Sequence, residues 1–342
     1  RQYRFVSHYA FGLRIVAVWA WLSWLCSAIH CPAARCGVNC RLFRQPLPGQ
    51  GNTVLYQIIA LILWSSAFIA AKYTYTMTDP LLMLLCRLLL ASLLVLPAAL
   101  RFGRSLEKRY WRPLLWLTFL NYVVVLAMQF VGLKYTSATS ASTIVGLEPL
   151  LMVFIGHFFF RDFARWYHWL CGLAAFAGVA LLIAGSGGEG DISLFGCLMV
   201  FGGGAVFCTT MRPTQRMIAE IGAPAFTSLS MAVAPLLCLP VSLAFADSLH
   251  IDWNLPGTLG LLYLGVCCSW LSYTLWNKGM TSVSANFSGM LTASEPVFGT
   301  LLAVLVLGER VSALSWLGIA LVIAATAASV AMPKLLARRQ MT

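Results

Sequence analysis

From Leu55 onward the chain alternates long apolar runs with short breaks marked by charge, glycine or proline. Ten runs emerge: Leu55–Ala71, Pro80–Leu100, Leu114–Gly132, Ser140–Phe160, Trp166–Ala184, Leu194–Thr210, Pro224–Ala246, Thr258–Trp276, Asn286–Leu307 and Ala313–Met332. Each approaches the roughly 20 apolar residues that a helix needs to cross the hydrocarbon core of a bilayer. The two-residue alternation of a porin strand is missing from them, so the pattern predicts a helical bundle. Ten spans use up the region and leave no room for a folded extramembrane domain.

The runs are not independent. Shifting the chain by 147 positions overlays Gly132 on Gly279, Ser137 on Ser284, Ala138 on Ala285, Glu148 on Glu295, Pro149 on Pro296, Trp169 on Trp316 and Leu170 on Leu317. Matches of small residues and Leu are cheap in so apolar a chain. The Glu-Pro match is not, because the dipeptide occurs twice and both copies fall in register. Five helices per copy is an odd number, which forces the second copy through the membrane upside down. The expected fold is therefore an all-α membrane protein of ten transmembrane helices in two inverted five-helix repeats, 54–185 and 193–332. Secondary transporters commonly build alternating access around such a repeat.

Composition agrees: 60% of the 342 residues are apolar and 10% charged, with a mean hydropathy of +0.82. Too few polar side chains remain to cover a water-soluble surface, which excludes a soluble enzyme. The formal charge of +12 is explained by topology rather than by a nucleic-acid partner. With the segment before Leu55 placed in the cytoplasm, the cytoplasmic loops and tail carry Arg101, Arg104, Lys108, Arg109, Arg112, Arg161, Arg165, Arg212, Arg216, Lys278, Lys334, Arg338 and Arg339. The opposite loops carry Lys72, Lys134 and Arg310, with acidic residues at Glu189–Asp191 and Asp247–Asp252. The protein is thus expected in an inner membrane with both ends of the ten-helix unit in the cytoplasm, 333–342 forming a basic cytoplasmic tail.

Residues 1–53 read differently. They hold six arginines, no acid, a short apolar run from Ile15 to Ile29 and a Pro- and Gly-rich stretch after Arg44. The first methionine is Met77. This basic extension is expected to be weakly structured or non-native, and it carries no functional argument. Its Cys26, Cys31, Cys36 and Cys40 lack the paired spacing of a zinc knuckle, and the other seven cysteines lie in apolar runs where a thiol packs as a small hydrophobe. No metal or other cofactor is expected.

Trp64-Ser65-Ser66-Ala67-Phe68 with Lys72, Arg87 in Arg-Leu-Leu-Leu-Ala, and Glu295-Pro296 followed by Leu307-Gly308-Glu309-Arg310 resemble the EamA-type drug/metabolite transporter superfamily. Ser65 stands where that family often has Gly, and Gly202-Gly203-Gly204 where an aromatic is common. The resemblance covers about 55–332. It implies an exporter of small metabolites such as amino acids, often proton-driven, with a central cavity lined by both repeats.

Glu148 and Glu295 lie about nine residues into their runs, or roughly 13 Å deep at 1.5 Å per residue. An ionised carboxylate at mid-bilayer costs about 2.5–3.5 kcal/mol, so such residues usually face a cavity and serve a function. Fixing the packing of neighbouring helices is the bland alternative. Pro149 and Pro296 each remove an amide and free the carbonyl of Val145 and Thr292, which predicts a kink usable as a hinge or a static bend. Arg87 would pair with a Glu or meet a substrate carboxylate, or snorkel outward. The second repeat offers Ser230 and Met231 in the corresponding region, so an asymmetric cavity is expected. Trp64, Tyr122, Trp270 and Tyr273, with Asn121 and Gln129, are candidate walls, against a lipid-facing role for any one of them. These residues suggest proton-coupled export of a cationic or zwitterionic metabolite, with the substrate, the proton and the lipid bilayer as partners. The oligomeric state is left open. An exchanger of phosphorylated or nucleotide-linked metabolites would need several cavity cations where only Arg87 is offered, and a scaffold or passive channel is the remaining alternative.

Overall fold

The computed structural model describes residues 50–160, 165–185, 193–282, 288–289, 291–309 and 311–339, all within the unit Pro48–Thr342. The cysteines before residue 50, the Arg161-Asp162 and Glu189–Asp191 loops, Ser284, Ala285 and Arg310 lie outside the described residues.

The described chain is built from helices α1 (Gln50–Thr74), α2 (Pro80–Ser105), α3 (Lys108–Lys134), α4 (Ala138–Phe160), α5 (Trp166–Gly185), α6 (Leu194–Ile221), α7 (Ala223–Phe245), α8 (Leu255–Gly279), α9 (Thr292–Leu307) and α10 (Ala313–Arg339). Seven are long and apolar enough to cross a membrane, while the apolar parts of α5, α9 and α10 are shorter. Their outward faces remain apolar, with Leu93, Leu173, Leu236 and Leu305 each at least 65% exposed. Large aliphatic side chains left open in this way belong against lipid, and the protein is a multi-pass membrane protein.

Helix pairing displays the repeat. α1 packs on α8 and α6 on α3, a pair of pairs that exchange when the halves are swapped; α2 packs on α7, α4 on α9 and α5 on α10. The contacts run antiparallel. Along α5 and α10, Gly178 meets Gly318 and Val322, and Gly185 meets Ser312 and Ser315. Along α3 and α6, Gly132 meets Gly196 while Gly203 meets Val125 and Gln129. Along α1 and α8, Gly279 meets Gln57 while Gly260 meets Thr74. Small residues at these crossings let backbones approach within reach of dispersion contact, which is what holds helices together in lipid. Gly202-Gly203-Gly204 serves this purpose against Met128, Gln129 and Glu148.

Five helix starts share one end of the bundle, and each carries a side-chain cap. Asp79 accepts from the Leu81 amide at 2.9 Å, Ser137 from Ser140 at 3.0 Å, Ser193 from Gly196 at 3.0 Å, Asn254 from Gly257 at 2.7 Å and Ser312 from Ser315 at 3.1 Å. Without such caps the first-turn N–H groups would be left unpaired near the bilayer surface. At the other end, α6 continues eleven residues past the expected Thr210 to Ile221, so Arg212 and Arg216 lie in the helix rather than in a loop. Polar residues end an apolar run but not a helix that extends beyond the bilayer. Gly222, at φ 86°, ends it in a conformation that side chains with a Cβ rarely adopt. Lys108, Arg109 and Arg112 likewise begin α3, and Lys278 closes α8.

Among the described residues, three helices contain π segments: Phe119–Val124 in α3, Leu264–Leu271 in α8 and Ala303–Leu307 in α9. Those in α3 and α8 overlay under the 147-residue shift, so they are part of the repeated architecture. Such local bulges often occur at functional sites.

Candidate functional site

The centre of the bundle is organised by two interrupted helices. α4 breaks at Gly146-Leu147 and restarts at Glu148; helical residues at 288–289 and 291 lead into a 3-10 turn, Thr292–Ser294, before α9 becomes α-helical at Glu295. Each proline therefore sits in the first turn of a fresh helical segment, where its missing amide would be unpaired anyway. Instead of a simple kink, both helices have a local restart. They cross at this point: a Cβ on Gly146 would overlap the Pro296 ring, and one on Gly299 would overlap Ser142. The mirrored contact, Gly289 against Met152, is also present.

Glu148 and Glu295, 3% and 4% exposed, both line a central cavity of about 50 Å³. Its wall also includes Arg87, Trp64, Phe68, Gln129, Phe130, Phe207 and Tyr273, so both repeats contribute. The Thr292 side chain faces Glu148, and the Ser65 hydroxyl donates to the Glu295 carbonyl at 3.4 Å and to the Leu61 carbonyl at 2.9 Å. Fifty cubic ångströms holds a few waters, whereas sites for drug-sized ligands span roughly 300–1,000 Å³.

An aromatic layer closes the cavity on the side of the basic loops. Trp64 lies 5.0 Å from both Tyr273 and Trp276, Tyr273 lies 4.5 Å from Tyr122, and Phe207 edges onto Trp64 at 6.1 Å. Trp64 is pinned by Nε1 donating to the Cys268 carbonyl at 3.2 Å. Beyond this layer a smaller void of about 10 Å³ is lined by Asn121, Tyr122, Thr214 and Asn277. There Asn121 donates to Thr214 and accepts from Thr210, and Asn277 donates to Thr227.

The opposite end is fastened by polar contacts. The Glu309 carboxylate accepts from the amides of Ala138 and Thr139 at 2.9 and 3.0 Å, which ties the end of α9 to the start of α4. Lys72 donates to the carbonyls of Leu133 and Thr136 at the end of α3. Lys134 bridges Asp247 at 2.7 Å and Asp79 at 3.7 Å.

Of the residues expected from sequence, Glu148, Glu295, Arg87, Trp64, Gln129 and Tyr273 meet at the central cavity, and Asn121 and Tyr122 line the smaller void. Pro149 and Pro296 are buried behind the carboxyls as packing elements. Trp270 lines neither void. It falls in the π segment of α8 and packs, half-buried, against the core cluster that includes Tyr273. Ser230 and Met231 are buried and face neither void, leaving Arg87 without a mirrored partner. Phe130 and Phe207 were not singled out by sequence, and Phe68 entered only within the motif that begins at Trp64. Only Phe68 carried a signal, four residues after Trp64 on the same helical face.

A family model described as the EamA-like transporter family matches residues 51–184 and 194–331. An uncharacterized transporter of Haemophilus influenzae is 49% identical over 141 residues, 40% of this chain and 83% of that protein. Uncharacterized transporter YwfM of Bacillus subtilis is 28% identical over 271 residues, 78% of this chain and 90% of its own. An S-adenosylmethionine/S-adenosylhomocysteine transporter of Chlamydia muridarum is 26% identical over 72% of this chain and 81% of its own. A crystal structure sharing 21% identity superposes with a TM-score of 0.61 over 85% of this chain and 99% of its own, which is a likeness of fold. Two matched segments covering most of the chain, on a bundle whose helices pair with mirrored partners, settle the assignment: the chain belongs to the EamA-like transporter family.

Proposed function

We propose that the protein exports a small metabolite, an amino acid or related cationic or zwitterionic compound, in exchange for protons by alternating access. The observation that carries this reading is the placing of Glu148 and Glu295, one from each repeat, on the wall of a single buried cavity. Either carboxyl can hold a proton or face a cationic group, and competition between the two occupants couples their opposite fluxes. The polar fastenings at the Glu309 end support a form shut on that side, with the aromatic layer as the barrier on the other. The basic residues at the aromatic-layer end support a cytoplasmic placement for it, with both ends of the ten-helix unit on the cytoplasmic side of an inner membrane. The relative that carries S-adenosylmethionine favours small organic substrates bearing an ammonium group.

In proteoliposomes under an imposed pH gradient, Glu295→Gln is expected to abolish proton-driven flux while the protein still inserts and purifies normally. Unaltered flux in that variant would remove Glu295 from the coupling.

A further inference from the structure

Arg87 sits seven residues into α2 and is 1% exposed, yet among the described residues no carboxylate lies within salt-bridge distance of it. Its guanidinium is held on two sides. Nε donates to Ser269 Oγ at 2.9 Å, and the Phe130 ring lies under the plane at 4.8 Å. Ser269 is itself anchored, donating to the Leu264 carbonyl at 2.9 Å within the π segment of α8. Nη1, by contrast, has no hydrogen-bond partner. A buried charged donor left unspent is costly, and the cost is greater in lipid, where no water replaces the missing partner. Here it sits on a residue that lines the same void as Glu148 and Glu295.

The cavity thus has basic and acidic residues in its wall, with Trp64, Phe68 and Phe207 supplying apolar surface. A planar guanidinium fixed through Nε, with Nη1 enclosed beside the void and still unpaired, keeps a donor for a carboxylate. We propose that Arg87 anchors the carboxylate of the substrate, so that the site takes zwitterions in preference to amines that lack an acid group. This rests on the transport reading of the same cavity and narrows it, setting aside purely cationic cargo.

The test uses the full chain purified into nanodiscs and titrated with L-leucine, L-methionine and L-phenylalanine, each beside its decarboxylated amine. At least one amino acid is expected to bind saturably and about ten-fold or more tighter than its amine. Arg87→Gln should erase that margin by weakening the amino acid, with the amine bound no less tightly than before, whereas a merely structural loss would weaken both. If Arg87→Gln fails to fold, Arg87→Lys is read in the same way: it keeps the charge but loses the planar fork, and the margin should shrink. Equal affinity for acid and amine, a margin that survives Arg87→Gln, or no binding of any of the three acids would overturn the proposal. Proton flux in proteoliposomes is measured separately. Amino-acid exchange without proton movement would defeat the coupling and leave the Arg87 anchor standing.

Discussion

Gly146 is one of the points at which the two interrupted helices touch, and its missing side chain is what permits the contact there. A methyl group there would occupy the place of the Pro296 ring. Gly146→Ala is expected to cost about 1–3 kcal/mol, the usual range for overpacking a filled interior. A fall in the thermal unfolding midpoint in detergent would show it, with Gly103→Ala as the control because a Cβ there meets its nearest neighbour at an ordinary 3.5 Å. An unchanged midpoint for Gly146→Ala would mean that the helices do not cross so closely. The paired acids were legible in the sequence because their depth in an apolar run and their repetition in register are both local facts. Arg87 was legible as a residue but not as an environment, since its partner Ser269 lies 182 positions away. Trp270 lies outside both voids, in a π segment that no composition signal announces.

Interrupted helices such as α4 and α9 need their exposed ends satisfied, and Glu309 does this for α4 across 171 and 170 positions of sequence. Two amides of the first turn share one carboxylate, an arrangement favoured by both hydrogen bonding and the helix dipole. Glu309→Gln keeps one acceptor and loses the charge, at about 1 kcal/mol. That corresponds to roughly five-fold more opening of this end. A cysteine placed at the buried Ser140 should accordingly be alkylated about five-fold faster in the Glu309→Gln background than beside native Glu309. Equal rates would show that the cap does not restrain α4. Helix existence was legible from hydropathy alone. Helix ends were not, because α3 and α6 continue through charged residues whose side chains reach the interface.

Across the whole molecule, antiparallel pairing of equivalent helices requires corresponding loops to emerge on opposite faces of the membrane. Thr76 follows α1 and Glu220 closes α6, so cysteines at these two positions should react with a membrane-impermeant maleimide from opposite sides. In whole cells Thr76→Cys is expected to be labelled directly and Glu220→Cys only after lysis; labelling of both from one side would refute the inversion. The duplicated plan was visible in sequence through a single rare dipeptide in register. Which helix pairs with which was not, because packing in lipid depends on small residues that are abundant everywhere in such a chain.

The mirrored pairing also bears on biosynthesis. Helices α1 to α5 find their main neighbours in α6 to α10. The earlier-made half must therefore wait in the bilayer with its glycine seams open until the later half is inserted. Assembly is then an association between two lipid-embedded pieces of one polypeptide, and neither piece owns an interior until the other arrives.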